Sequence, residues 1–298
     1  MVLSGPMDRL DDPSPDAPRT RRPAYARQWE DNARLDPLWA ILTRDGGTWT
    51  EADFFATGEE EVGRVFAYMD GAGISPLQRG AFLDFGCGVG RVTAPLAGRF
   101  ARGVGVDVSA QMIALARHHM AARAPDVTLL VNASTDLAAL GTERFSFVYS
   151  HMVLQHLVVG DQLAYIGALL DLLEPGGVAA LQIIEASVGG RRWPRLRTLV
   201  PVGLRRLLRR GAAALSRQPA PAARPVVAMH TLPEPRLRAA ITTSGCRVLA
   251  APYSNSAWTD HRGRLQLFDR AEAVRRVESG EAHSPLLARF YFLGRPGR

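Results

Sequence analysis

At 298 residues and 47% hydrophobic content, the chain is long enough for one large α/β domain with additions, and apolar enough to fill its core. Two cysteines, Cys87 and Cys246, argue against a disulfide framework or a cysteine metal site; with no signal-like segment and no apolar run near the ~20 residues of a membrane span, a soluble cytoplasmic protein is expected. The formal charge of +7 is local: residues 191–217 hold nine arginines and no acid, leaving −2 for the remainder, so the charge does not by itself indicate a nucleic-acid partner.

Residues 1–23 mix Pro, Asp, Arg and Ser without periodicity and read as a disordered tail. Residues 24–79 read as an N-terminal helical cap. Within it Tyr25 to Thr43 is one helical pattern, with Trp29, Leu35, Leu38, Trp39 and Leu42 on one side, and residues 57–69 form a second, with Thr57 as N-cap and Glu60 completing a capping box. Trp29, Trp39, Trp49, Phe54 and Phe55 have two uses, lining a pocket or packing on the sheet, and the usual fate of aromatics favours packing.

From residue 80 strands and helices alternate, the pattern of a parallel sheet covered on both faces. Phe82, Leu83 and Phe85 read as strand, Gly86, Gly88 and Gly90 as a turn, and Val92 to Leu96 as a helix start. Glycines at such a turn adopt conformations closed to other residues, and the helix start offers free N–H groups to a ligand. The spacing is G-x-G-x-G, not the G-x-G-x-x-G of a dinucleotide site, and Arg91 takes the expected glycine place. Asp84, two residues before the turn, would repel a pyrophosphate but attract a cationic amino group. Asp107, at the end of the next strand, lies 21 residues after Gly86, close to the roughly 20-residue separation at which an acid meets ribose hydroxyls. Together the two acids specify a nucleoside that carries an amino acid.

These segments resemble the class I S-adenosylmethionine-dependent methyltransferases, well over residues 80–185 and more loosely over 230–253. Residues 129–137, the strand and segment 145–157, and the Pro-Gly-Gly turn in 172–183 continue the resemblance in the family's order. It implies a seven-stranded, mostly parallel Rossmann-like sheet with an antiparallel last strand, spanning 80–298 and carrying a basic helical insertion at about 187–230. It also implies S-adenosyl-L-methionine as cofactor, held by Asp84, Gly86, Cys87, Gly88, Gly90, Asp107, Val108, Asn132, Ala133 and Ser150. The sequence departs from the family where Asn132 replaces the usual acid near the adenine, although an amide can still pair with its edge, and where Ser146 replaces the usual acid after Phe145.

The insertion holds Leu196, Leu199, Leu204, Leu207 and Leu208 on one side of a basic helical pattern, and it follows the fifth strand, at the end of the sheet where such folds bind ligands. It reads as a lid over the acceptor, with a solvated charged helix and contact with an acidic membrane surface or nucleic acid as rivals. Helix 233–244, strand 247–253, a helical stretch around 265–277 and a final strand in LARFYFLG complete the expected elements. Trp258, Asp260 and His261 fall in the loop at the ligand end.

A sulfonium methyl is already activated, so the main task is to hold a nucleophile in line and exclude water. For a hydroxyl acceptor a base helps; His151, following the fourth strand, is the first candidate and His156 the second, with His230 behind them. No His/Asp/Glu spacing suggests a metal. The expected activity is methyl transfer to a small-molecule acceptor, such as a secondary metabolite. The alternatives are an RNA or lipid methyltransferase using the arginine-rich insertion, and a non-catalytic cofactor-binding partner. The absence of an Asn/Asp-Pro-Pro-Tyr/Phe motif after the fourth strand argues against nucleic acid.

Overall fold

A computed structural model describes residues 24–43, 48–187, 229–257, 264–282 and 286–297. The expected tail, the basic insertion and Trp258, Asp260 and His261 lie outside the described residues. The core is a single mixed sheet in which β1 (Ala81–Phe85), β2 (Arg102–Asp107), β3 (Thr128–Val131), β4 (Phe145–Ser150) and β5 (Leu173–Ser187) are parallel, in the spatial order β3-β2-β1-β4-β5. All five residues of β1 and all six of β4 are buried, as expected of central strands covered on both faces. Alternate side chains go opposite ways: Leu83 and Val148 join one apolar cluster, Phe82 and Phe147 the other.

The first cluster is covered by α6 (Val159–Asp171) and α7 (Glu234–Thr243), through Ile166, Leu169 and Leu170, and Leu237 and Ile241. The second is covered by α3 (Glu51–Gly71) and α4 (Thr93–Ala97), through Val62, Val65, Phe66 and Met69, and Leu96. α5 (Ala110–Arg123) forms a third cluster with Leu42, Phe54 and Phe55 of the N-terminal segment. The chain runs from β1 outward to β3, then returns to β4 beside β1. That reversal opens a crevice at the carboxyl ends of β1 and β4, the place where open α/β sheets bind ligands.

The last long strand, β9 (Leu286–Gly294), inserts antiparallel between β5 and β6 (Arg247–Ala250). The sheet has nine strands among the described residues, two more than expected. Pro252, which cannot donate to a ladder, ends β6 early, and pairing with β9 resumes at β7 (Tyr253–Ser254), which also pairs with β8 (Leu267–Phe268). Because β8 takes residues 267–268, the helix expected from about 265 begins instead at Arg270, as α8 (Arg270–Glu278) capped by Asp269.

Two N-terminal expectations are corrected. The single helix from Tyr25 divides into α1 (Ala24–Leu35) and α2 (Pro37–Ile41), because Pro37 lacks an N–H and sits at a helix start, where Asp36 Oδ1 accepts from Trp39 N at 3.1 Å. Leu35, at this break, is exposed. Thr57 is not an N-cap: α3 begins two turns earlier, capped by Thr50, whose Oγ1 accepts from Asp53 N at 3.1 Å. Burial of Phe54 and Phe55 draws residues 51–56 into the helix, so the Thr57 hydroxyl donates to Phe54 O within it.

Candidate active site

The turn after β1 is built by its glycines. Gly86, Gly88 and Gly90 have φ of 76°, 54° and 92°, in the left-handed region that disfavours side chains. A Cβ on Gly86 would run into Val153 Cγ2, and one on Gly88 would lie 2.7 Å from Ile41 Cδ1, so both also permit a close approach. Gly86 N and Cys87 N donate to Val106 O at 2.8 and 3.0 Å, tying the turn to the end of β2. Asp107, next along β2, completes the tie: its Oδ2 accepts from Gly88 N at 3.0 Å and its Oδ1 from Ser109 N at 2.9 Å. Burial nevertheless pushes its carboxyl up to about 6, against these backbone N–H groups.

Asp84 lies deeper, 3% exposed, accepting from Thr93 Oγ1 at 2.6 Å. Burial pushes its carboxyl up to about 7. Two carboxylates held in this way have a cost that a bound cation or hydroxyl pair would relieve, and they form a donor set suited to a nucleoside with an amino group.

A cleft of about 690 Å³, its open mouth included, lies above this turn. It is lined by Gly86, Gly88, Asp107, Val108, Asn132 and Met112. Asn132 is fixed through Nδ2, which donates to Ser134 O at 2.6 Å. Tyr25, Trp29, Ile41, His151, Met152, Val153 and Tyr165 line the cleft as well. Met152 has φ 57°, a conformation rarely adopted by a residue with a side chain, and its N–H is caught by Gln182 Oε1 at 3.0 Å.

The remaining expected positions lie outside the wall. Cys87 is buried beneath the turn, with its thiol pushed well up by burial; Gly90 packs under Met120; Ala133 is exposed. Ser150 Oγ donates to Phe85 O at 3.1 Å and joins the ends of β4 and β1. His156 stands edge-on to Trp29, ring centroids 5.3 Å apart, with its Nε2 3.2 Å from Gln155 Nε2. His230 N donates to Gln155 O at 2.7 Å. Of the five N-terminal aromatics, Trp29 lines the cleft, while Trp49, Phe54 and Phe55 pack with α5.

Neither Tyr25 as a wall of the cleft nor Glu61 as the partner of His151 was expected from the sequence. Tyr25 and Trp29 close the cleft from α1, whose Glu30 Oε2 accepts from Ser109 Oγ at 2.7 Å, two residues from Asp107. Tyr25 OH lies 3.4 Å from Tyr165 OH, and burial pushes both phenols up.

Glu61 is 1% exposed on the packed face of α3. Arg91 Nη2 lies 2.7 Å from its Oε2, Tyr149 OH donates to its Oε1 at 2.6 Å, and His151 Nδ1 is 2.7 Å from the same oxygen. Burial opposes the ionised form, but Arg91 and His151 outweigh it and hold the Glu61 carboxyl well below the usual range. A signal was available: Phe54, Gly58, Glu61, Val62, Val65 and Met69 share one helical face, where an unpaired acid is not tolerated.

Among the described residues no group of three or more His, Cys, Asp or Glu could hold a metal ion, and no helix is long and apolar enough to cross a membrane.

Residues 82–177 match a family model described as a methyltransferase domain. Curated relatives similar to the chain include the ubiquinone biosynthesis O-methyltransferase of Cereibacter sphaeroides, 39% identical over 103 residues, which are 35% of this chain and 40% of that protein. The protein of the same description from Parvibaculum lavamentivorans is 32% identical over 120 residues, 40% of this chain and 46% of that protein. The chain thus aligns with less than half the length of these relatives. Among solved structures, its fold is similar to a putative sarcosine dimethylglycine methyltransferase from Galdieria sulphuraria (TM-score 0.54, 13% identity, covering 89% of this chain and 98% of that one). It is also similar to the [4+2]-cyclase SpnF (TM-score 0.51, 16% identity, covering 87% and 86%).

Proposed function

From the premise that residues 82–177 belong to the methyltransferase-domain family, we propose that the chain transfers a methyl group from S-adenosyl-L-methionine to a small-molecule acceptor. The observation that carries this reading is the Asp107 carboxylate tied to the Gly86–Gly88 turn on the wall of the cleft, with the buried Asp84 carboxyl on the strand where the turn begins. That donor set suits a ribose and an amino-acid moiety, and the glycine cradle leaves room where a Cβ would collide. When bound, the cofactor supplies an electrophilic methyl on a sulfonium.

The chain's own residues do the rest. Asp107 holds the ribose hydroxyls and Asp84 compensates the amino group's charge from below, while Asn132 stands at the adenine end. Cys87, Gly90, Ala133 and Ser150 support these positions. Tyr25 and Trp29 on α1 exclude water from the acceptor end, where His151 and the two tyrosines face the reacting groups. His156 braces Trp29 from outside the cleft. O-methylation is the reaction in the names of the curated relatives, and it suits a site with a histidine at its acceptor end. The [4+2]-cyclase with a similar fold is a reminder that fold does not name the reaction.

Calorimetry with S-adenosylhomocysteine against NADH tests the reading. S-adenosylhomocysteine is expected to bind and NADH not to; the reverse result sinks the proposal.

A further inference from the structure

β5 carries one polar residue in a stretch that is otherwise apolar. Residues 178–184 read VAALQII and are all buried, and Gln182 is 0% exposed among them. An amide inside a sheet is costly unless both its oxygen and its nitrogen are paired. Ser150, the last residue of β4, pairs with Leu181, so Gln182 is one residue beyond the paired end of β4 and within reach of the chain that leaves it. Both of its polar atoms go there. Gln182 Oε1 accepts from Met152 N at 3.0 Å, and Gln182 Nε2 donates to Gln155 Oε1 at 3.2 Å.

Building on the methyltransferase reading, we propose that Gln182 is a positioning residue that fixes the wall of the cleft against the Gly86 turn and so sets the space open to the cofactor. It is buried behind that wall and acts through two routes. The first is Met152, held at φ 57°. A side chain strains this conformation, which persists only where the surroundings impose it, and Gln182 supplies the acceptor that the Met152 N–H finds there. Val153 follows, and its side chain packs so closely on Gly86 that a Cβ there would collide. Met152 and Val153 both line the cleft, so the left-handed turn at Met152 decides how near Val153 comes to the glycines.

The second route runs through Gln155, 5% exposed, to His156 and Trp29. The direction of its hydrogen bonds follows from a single backbone group. Met152 N can only donate, so Gln182 turns its oxygen to Met152 and its nitrogen to Gln155. Gln155 must then present its oxygen to Gln182, which leaves its Nε2 facing His156 Nε2, 3.2 Å away. An amide nitrogen has only protons to offer, so His156 Nε2 is the acceptor and the neutral ring carries its proton on Nδ1. That ring stands edge-on to Trp29, another lining residue, with 5.3 Å between centroids. One buried amide thus braces the cleft at Met152 and Val153 and, through Gln155, at Trp29.

Two measurements on the full chain test this. Two-bond ¹H–¹⁵N correlation with ¹⁵N-histidine, at about pH 8.5 and above the ordinary imidazole range, reads the tautomer, and His156→Gln assigns the signal. The proton is expected on Nδ1 of His156. Calorimetry with S-adenosylhomocysteine then closes a double-mutant cycle. Gln182→Leu, which nearly keeps the volume and suits a buried strand, is expected to weaken binding about tenfold. In a Met152→Gly background the left-handed conformation carries no side-chain strain, and the same substitution should weaken binding less than about threefold. Equal losses in the two backgrounds would make Gln182 an ordinary core contact and overturn the proposal. A proton on Nε2 of His156 in the native protein overturns it as well, and that reading stands even if Gln182→Leu misfolds. Failure of the native chain to bind S-adenosylhomocysteine would overturn the methyltransferase reading instead, whichever nitrogen holds the proton.

Discussion

Two parts of the site are made differently. The part around the Gly86 turn is local: Asp84, Gly86, Gly88 and Asp107 lie within 24 consecutive residues, on two adjacent strands and the turn between β1 and α4. The other part combines cleft wall with the groups on His151: Tyr25, Glu61, His151, Tyr165 and Ser256 come from five segments spread over more than 230 residues. A local site can be specified by spacing, because the strand-turn geometry is the same wherever it occurs. A dispersed site depends on the packing of elements that have no common spacing.

The electrostatics differ as well. By the Gly86 turn burial raises two carboxyls, outweighing Arg91 at Asp84 and the backbone N–H groups at Asp107, whereas Glu61 is held ionised by Arg91 and His151. The first part therefore favours protonated carboxyls, and the second is satisfied as an ion pair.

The largest expected effect breaks the satisfied part. Glu61→Ala leaves Arg91 as an uncompensated buried charge and should cost about 3–5 kcal/mol in urea unfolding. A loss below about 1 kcal/mol would mean that water reaches the pair. Gly86→Ala should cost about 2–4 kcal/mol, combining a left-handed φ with a clash against Val153, and should abolish S-adenosylhomocysteine binding. Retained binding would show that the turn can shift.

Asp107→Ala sharpens the contrast, because its effect is larger on binding than on folding. Affinity for S-adenosylhomocysteine should fall about 100-fold, while stability at pH 7.5 should fall by about 1–2 kcal/mol, since Gly88 N and Ser109 N lose their acceptor as a carboxylate disfavoured by burial is removed. Unchanged affinity in calorimetry would remove the cofactor assignment.

The raised carboxyls also set a pH window. Asp84 and Asp107 have folded-state pKa values near 7 and 6, above their unfolded values. Their contribution to stability is fully present below about 4 and is lost as pH rises through 6 and 7. A cationic ligand favours the ionised forms. S-adenosylhomocysteine should therefore bind with proton release, about tenfold more tightly at pH 8 than at pH 6. Calorimetry in buffers of different ionisation enthalpy measures that release, and a pH-independent affinity contradicts it. The smallest effect is at the start of α3, three turns from Glu61: Thr50→Ala should cost about 1 kcal/mol and leave ligand affinity unchanged.

How far each region could be read follows the same division. The alternation of strands and helices, the turn at Gly86 and both acids were legible because burial on both faces and positive φ leave marks in residue type. The boundaries of α1, α2 and α3 were not, because Pro37 and the burial of Phe54 and Phe55 decide them. Capping signals at Thr57 were outweighed by tertiary packing. His151 was legible as a position after a strand, but its partners were not. Glu61 sits in a run of three acids, and only its place on the packed face separates it from Glu59 and Glu60.

The sequence alone therefore determined the parallel sheet and the glycine turn, with an acid near the end of each flanking strand, since sheet and turn follow from backbone sterics and local periodicity. Tertiary structure alone decided that Glu30 of α1 meets Ser109, and that Arg91, the residue standing where a third dinucleotide glycine would be, reaches back to Glu61 and through it to His151. The reason is physical. A turn is set by dihedral preferences within a few residues, whereas a buried ion pair exists only where packing has brought two distant charges together and excluded water from both.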